Sequence, residues 1–457
     1  MNPYIPNMYR IKKFKEGFLI VAEQGGWVYL KRKDFRRFIK GDLDDNLFGM
    51  LEKAGIILTE KNTDEIVKAE YNRRRFMRSP PGLHIILPTV RCNHQCVYCH
   101  SAAKTHGDFD MDKETARKIV DFIMDVPGKK KKIEYQGGDA TINFDIVKEI
   151  FEYASAKGSE TGQEMGFSLV TNTTLLDEKM IEWIARNKIS LATSIDGPKD
   201  LHDKNRPYVG GKGTYEDVIK KMKLCHEKGV RAGALMVTTR YSLSRAKDIV
   251  DEYVKLGMDS IQLKFLNKIG DADDKWKEIG YSAEEYIEFW KEAMEYLIEV
   301  NKKGTKIVER LTGFIVKKIL TYDEPGFLDF RNPCGIALGQ IAYNYNGDIY
   351  SCDEGRGFDI FKLGNVKEMD WVTYIGNPQV RNLVEMSVLE TSYCDTCVYK
   401  PYCGQCPVLN YAETGNLIPK VAKSTRCKIF KAMFDWVFKK MLTDAEAREV
   451  LSSWLPK

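Results

Sequence analysis

No apolar run in these 457 residues approaches the length needed to span a bilayer. The opening residues, MNPYIPNMYRIKKF, lack the apolar segment and small-residue cleavage site of a secretory signal. An excess of one charge is missing too: 70 Lys and Arg face 65 Asp and Glu, for a net charge of +5. That balance makes no case for nucleic acid as a partner. The basic runs at Lys129 to Lys132 and Arg73 to Arg75 read as solvated surface or linker. With no secretory signal, 11 cysteines point to metal binding rather than a disulfide framework. The expectation is a cytoplasmic protein with neither membrane nor nucleic-acid partner, sensitive to oxygen once its metal centres are filled. Its apolar fraction of 43% supports a large core, and its length fits two or three domains.

Cys92, Cys96 and Cys99 stand in VRCNHQCVYCHSAA, directly after the apolar stretch LHIILPT. Three thiolates this close can hold three corners of a [4Fe–4S] cube. Such clusters usually have four Cys ligands, so the fourth iron is left open. An open iron beside a strand end can chelate a small molecule, such as the amino and carboxylate groups of S-adenosylmethionine. Zinc is the alternative, because CxxC pairs often bind it. It would need a fourth ligand, and His94 and His100 are spaced like no common zinc module. The CxxxCxxC triplet resembles the radical SAM motif.

The chain changes character at Pro80-Pro81. Before it, YRIKKFK, GFLIVAE and WVYLKRK read as three short strands between Gly-containing turns. DFRRFIKG and DDNLFGMLEKAG read as two short helices, the second closing at Gly55; ILTE reads as a wing strand, and Thr63 to Arg78 as a connecting helix. From Pro81 to about Lys268, LHIILPT, KIEYQ, FSLVTN, ISLATSI, AGALMVTT and SIQLKFL alternate with amphipathic helical runs. This predicts an α/β fold of parallel βα units. Six units make an open, partial (β/α)6 TIM-type barrel with its chemistry at the carboxyl ends of the strands. EEYIEFWKEAMEYLIEV and VERLTGFIVKKIL then predict two long helices. The expected division is a small α+β element at 1–79, the barrel at 80–275, a helical bridge at 276–329 and a cysteine-rich module at 330–457.

Further marks fall at the expected strand ends: Gly137, Gly138 and Asp139 in QGGDAT, Asn172 in TNTTLLD, Ser194 and Asp196 in SIDGP, and then Arg206. Their plain readings are a turn, helix caps and a surface ion pair. The resemblance to the radical SAM superfamily implies contacts with S-adenosylmethionine instead. There, a Gly-Gly-Glu-Pro segment lies against the methionyl amino group, its glycines permitting close approach and its acid facing a cation. Asp139 and Ala140 depart from that pattern in this chain. Asn172, Ser194 and Arg206 match positions that contact ribose or carboxylate, and Arg206 suits a carboxylate by bidentate hydrogen bonding. Tyr98 looks like the residue that covers the adenine. Asp196 is the nearest acid/base candidate, although its place in the turn SIDGP gives it structural work.

The C-terminal module has its own cysteine code: Cys334, twelve residues, Gly347, four residues, Cys352, then Cys394, Cys397, Cys403, Cys406 and Cys427. Seven cysteines in this order resemble the SPASM domain of radical SAM enzymes that act on ribosomally made peptides and proteins. The resemblance implies two auxiliary [4Fe–4S] clusters, one on Cys394, Cys397, Cys403 and Cys427 and one on Cys334, Cys352 and Cys406, making three clusters in all. Sulfatase-maturing relatives carry a further cysteine just before the position of Cys334, where this chain has PGFLDFRN. That cluster is left with an open iron, or borrows Asp329, water or substrate. Zinc sites are the alternative for the module. Cys225, alone in a helical run, reads as a buried small hydrophobe.

From about Tyr9 onward the chain looks most like the His-Xaa-Ser system radical SAM maturases. The resemblance implies an oxidoreductase-type enzyme that cleaves S-adenosylmethionine to a 5′-deoxyadenosyl radical. Its implied substrate is a ribosomal precursor peptide or protein, oxidatively modified and most simply crosslinked, with an electron donor such as flavodoxin or ferredoxin. The N-terminal strands and helices resemble the winged-helix element that holds leader peptides, where an exposed strand edge pairs with the peptide. Two other readings stay open: sulfatase-type oxidation or cofactor synthesis on the same scaffold, and a non-enzymatic Fe–S electron carrier. The carrier leaves the strand-end residues of the barrel unexplained.

Overall fold

The computed structural model describes residues 4–101, 103–324, 326–390, 393–418 and 421–455. After β1 (Ile5–Pro6), strands β2 (Tyr9–Lys13), β3 (Gly17–Ala22) and β4 (Trp27–Lys31) form an antiparallel sheet, Tyr9 opposite Ala22 and Gly17 opposite Lys31. Helix α1 (Arg32–Lys40) stops at Gly41, whose φ of 72° is a left-handed cap that glycine adopts without strain. Asp44 starts α2 (Asp45–Lys53) by accepting the Leu47 N–H at 2.8 Å. The expected wing, β5 (Ile57–Leu58), does not join the three-stranded sheet; it pairs with β1 in a separate two-stranded sheet. Helix α3 (Thr63–Arg74) then leads to the barrel.

The barrel alternates β6 (Leu83–Ile86), α4 (Lys113–Asp125), β7 (Lys130–Tyr135), α5 (Phe144–Thr161), β8 (Glu164–Val170), α6 (Glu178–Arg186), β9 (Ser190–Ser194), α7 (Lys199–Asn205), α8 (Tyr215–Glu227), β10 (Ala232–Val237) and α9 (Ala246–Lys255). Its strands pair in parallel and are covered by helices, which is why they read as apolar runs. Helix α4 shows the matching pattern, with Ala116, Ile119, Val120 and Ile123 buried at helical spacing. The sixth expected strand splits: β11 (Ser260–Ile261) pairs elsewhere, and only β12 (Leu263–Lys264) joins β10. Two short turns, α10 (Asp271–Asp274) and α11 (Trp276–Ile279), lead to the long bridge helix α12 (Ala283–Lys302). A Ser282–Glu285 capping box starts α12. Strand β13 (Val308–Glu309) partners β11 and runs into α13 (Arg310–Leu320).

The C-terminal segment is woven into the barrel rather than set beside it. Strand β14 (Gln340–Tyr343) lies parallel to β6, and β15 (Asp348–Tyr350) and β16 (Lys362–Asn365) continue the sheet antiparallel. The nine strands run β12-β10-β9-β8-β7-β6-β14-β15-β16, so the sheet is open and crosses the boundary expected at 330. Helices α14 (Trp371–Gly376), α15 (Pro378–Met386) and α16 (Pro407–Thr414) follow, then α17 (Thr425–Thr443) and α18 (Ala445–Ser453), which pack on α12 and α13. The N-terminal element docks on this end: the Trp27 indole donates to the Ile319 carbonyl at 2.9 Å and meets the Phe438 ring at 5.3 Å. No helix among the described residues is long and apolar enough to cross a membrane.

Candidate active site

The loop bearing Cys92, Cys96 and Cys99 leaves β6 and is gripped by backbone on three sides. The Gly138 N–H donates to Thr89 O at 3.1 Å, and the Asp139 N–H to Arg91 O at 2.8 Å. A Cβ on Gly137 would lie 2.1 Å from Thr89 O, and one on Gly138 2.1 Å from Arg91 O. The close approach that requires Gly-Gly is therefore made by the cysteine loop itself. Opposite, the Asp271 N–H donates to Cys99 O at 3.0 Å, beside Gly270 with φ 61°. The Gln95 and Val97 N–H groups donate to Pro207 O and Asn205 O at 2.8 and 2.9 Å. Arg91 fixes the start of the loop on Asp110, its Nε 2.9 Å from Oδ1. Gly270, Asn205 and Asp110 escape sequence reasoning; their one local signal is a glycine following the last strand.

Asp139, expected to face a cation, is occupied by neutral donors. Its carboxylate is 1% exposed and accepts the N–H groups of Thr141 and Asn172 at 3.0 and 2.8 Å, together with the Thr171 and Thr141 hydroxyls. Burial raises its pKa above the ordinary aspartate value. One methylene shorter than glutamate, the side chain ties the loop after β7 to the loop after β8. Asn172, in the loop after β8, braces the cysteine loop: its amide donates to Asn93 Oδ1 at 2.8 Å and reaches Cys92 Sγ at 3.8 Å.

Tyr98, expected to cover the adenine through its backbone and ring, has its ring in the core and donates its hydroxyl to Asp196. Asp196 is fully buried and also accepts Arg206 Nε and the Val237 N–H, each at 3.1 Å. Arg206 is therefore no surface pair; its guanidinium stands 5.1 Å from the Tyr98 ring centre and close to Cys96. Burial pushes the Cys96 thiol up to about 12 against the pull of Arg206. Cys92 and Cys99 are raised for the same reason. Ser194 is half-buried at the last position of β9.

The seven C-terminal cysteines fall into two neighbourhoods. Cys352 lies within electrostatic reach of Cys334 and Cys406, whereas Cys403 lies within reach of Cys394, Cys397 and Cys427. Cys334, Cys352 and Cys406 belong to the core around β14 to β16; Cys397 and Cys403 pack against the core of α12, α13 and α17. A cavity of ≈ 40 Å³ is lined by Cys394, Cys397, Cys403, Cys406, Cys427 and Arg426. Asp329, considered a substitute ligand, is engaged by Arg426 at 3.2 Å. Among the described residues no three His, Cys, Asp or Glu side chains converge on a single metal ion. The two cysteine regions are linked: Arg356 reaches His100 Nε2 at 3.1 Å and Asp353 Oδ1 at 2.6 Å, and His100 stands 3.4 Å from Asp353. Cys225 is fully buried, in the same apolar core as Cys334 and Cys352.

Residues 86–252 match the family model described as the Radical SAM superfamily. An uncharacterized protein of Methanocaldococcus jannaschii is 31% identical over 287 residues, which is 62% of this chain and 89% of that protein. The chain belongs to the radical SAM superfamily. A cysteine-type anaerobic sulfatase-maturating enzyme of Clostridium perfringens is 24% identical over 384 residues, 80% of this chain and 99% of that enzyme. Among solved structures, Streptococcus suis SuiB bound to its precursor peptide SuiA aligns with a TM-score of 0.58 at 15% identity, over 93% of this chain and all of that one. At such identity the likeness is one of fold.

As a radical SAM protein, the chain uses S-adenosylmethionine and an iron–sulfur cluster. The donor set fits them. Cys92 already receives the His94 N–H at 3.4 Å, and donors aimed at sulfur are what cluster thiolates use. The buried thiols resist ionisation alone, but bound iron supplies the charge that deprotonates a ligating cysteine.

Proposed function

We propose that this radical SAM protein is a peptide maturase that oxidises, and most simply crosslinks, a ribosomally made peptide. The observation that carries the reading is the sorting of seven C-terminal cysteines into two groups, the Cys352 loop being tied to the Cys99 loop through Arg356 and His100. Cys92, Cys96 and Cys99 would hold the cluster that binds S-adenosylmethionine. When bound, that cofactor supplies the 5′-deoxyadenosyl radical that takes hydrogen from the substrate. Gly137 and Gly138 hold the loop in place, Asn172 steadies Cys92, and Arg206 brings a fixed positive charge beside Cys96. Ser194 and Arg206 are the residues to meet the ribose and carboxylate. Cys394, Cys397, Cys403 and Cys427 would hold one auxiliary cluster and Cys334, Cys352 and Cys406 the other, as acceptors for the electron left when a new bond closes.

The substrate class rests on the N-terminal element and on the SuiB-like fold. Strand β4 is a sheet edge among the described residues, and a groove of ≈ 860 Å³ runs beside it, lined by Tyr29, Met50, Lys53 and Leu320. An extended leader peptide fits there as an added strand. The sequence pattern favours the His-Xaa-Ser subgroup, a cytoplasmic setting and a flavodoxin or ferredoxin as electron donor.

Mass spectrometry of the cognate peptide tests this reading: the product should be lighter by two hydrogens, with fragments bridging two residues. Unchanged mass with deuterium uptake from solvent would mean epimerisation, and loss of CO2 decarboxylation; either overturns crosslinking. A second reading, sulfatase-type maturation, is supported by the relationship to that enzyme across most of the chain. It predicts one altered Cys or Ser and no bridged fragments.

A further inference from the structure

Arg426 lies one residue before Cys427 in the first turn of α17 and is 7% exposed. Its Nη2 donates to the Asp329 carbonyl at 2.9 Å and stands 3.2 Å from the Asp329 carboxylate. Nε and Nη1 are buried and have no hydrogen-bond partner among the described residues. A folded interior rarely leaves charged donors unpaired, because their desolvation is then uncompensated. Both belong to a guanidinium lining the ≈ 40 Å³ cavity shared by Cys394, Cys397, Cys403, Cys406 and Cys427. The charge of Arg426 is felt at Cys403 in one group of thiols, and at Cys406 and Cys334 in the other. The Phe430 ring, 4.7 Å from Cζ, supports the guanidinium plane.

We infer that Arg426 donates its Nε and Nη1 hydrogens to the sulfurs of the clusters carried by the two groups of C-terminal cysteines, and thereby sets the potential at which they accept an electron. The inference rests on the two-cluster reading above. One-electron reduction adds a negative charge to a cluster. Hydrogen bonds to its sulfurs and a fixed cation beside it favour the reduced form. An arginine supplies both without titrating. Asp329 moderates the effect as the partly exposed counter-charge on Nη2. Arg426 is a positioning residue here: it acts on the clusters, not on substrate.

The test uses full-length protein with Ala at Cys92, Cys96 and Cys99, so that after anaerobic reconstitution only the C-terminal clusters report. Reductive titration followed by electron paramagnetic resonance reads their potentials. Arg426→Gln should keep its iron while the reduced-to-oxidised ratio at a fixed applied potential falls about tenfold, equal to about 59 mV for one electron. Arg426→Lys should fall between the two, because it keeps the charge and loses the fork. Asp329→Asn should move the potential in the opposite direction by removing the counter-charge, and it decides the matter if Arg426→Gln fails to load. Unshifted potentials in loaded Arg426→Gln, or in loaded Asp329→Asn, overturn the inference. A parent protein that binds no iron at these cysteines overturns the two-cluster reading itself.

Discussion

A single methyl group at Gly138 would overlap the Arg91 carbonyl oxygen, 2.1 Å from where its Cβ must fall. That oxygen already accepts the Asp139 N–H at 2.8 Å and cannot retreat without losing the bond. Gly138→Ala is therefore expected to displace the cysteine loop, empty the Cys92–Cys96–Cys99 site and lower stability by about 1–3 kcal/mol. Iron analysis and a thermal melt check it; full iron content would show that the loop absorbs the change. Asp139→Asn addresses the next contact. An amide would turn a donor toward the donors of Thr171, Thr141 or Asn172, at a cost of about 1–3 kcal/mol. Were Asp139 instead a ligand for the methionyl amino group, the variant would lose S-adenosylmethionine affinity at unchanged stability. Equilibrium denaturation alongside a cofactor titration separates these outcomes.

Strands β6 and β14 lie in register with Ile341 beside His84, and His84 Nδ1 meets the Tyr343 hydroxyl at 2.9 Å. Burial lowers the His84 pKa from 6.5 to about 3. Between those values the unfolded chain carries a proton that the folded chain refuses. Stability attributable to this group thus falls as pH drops through that window, by up to about 1.4 kcal/mol per pH unit. His84→Gln, compared with the parent in the same cofactor state, should flatten that dependence in urea melts above and below pH 6.5. The N-terminal element calls for a different experiment. Its removal would strip cover from Phe438 and from Tyr402, whose hydroxyl donates to Gly25 O at 2.7 Å, so truncation confounds folding with peptide binding. Met50, half exposed in the β4 groove, is a cleaner target: Met50→Glu should weaken leader-peptide affinity about tenfold in fluorescence anisotropy while S-adenosylmethionine cleavage persists. The sequence makes five barrel strands and most helices legible, because burial on both faces and helical periodicity are local signals. The pairing of β14 with β6 leaves no local trace, since it joins residues far apart in the chain. For the same reason the partner of Gly137 and Gly138 is invisible: the motif announces a close approach without saying to what.

Ten of the eleven cysteines lie in the barrel loop or in the two C-terminal groups. Anaerobic reconstitution is accordingly expected to load about three [4Fe–4S] clusters, or about twelve iron atoms per chain. A value near about four would leave the C-terminal cysteines empty and remove the auxiliary acceptors. The molecule holds these parts together by shared surfaces rather than by linkers. Arg10 of β2 reaches Asp395, Arg73 of α3 reaches Pro401, and α12 packs on α17. Strand β6, which launches the cysteine loop, is flanked on one side by β7 and on the other by β14. A fragment ending before Gln340 would hand β6 a bare row of amide and carbonyl groups. Such a row recruits whatever strand comes near, including the same strand of another copy. Attempts to pare this protein down to a minimal piece should therefore meet aggregation first, and β14 is the strand that covers the exposed flank.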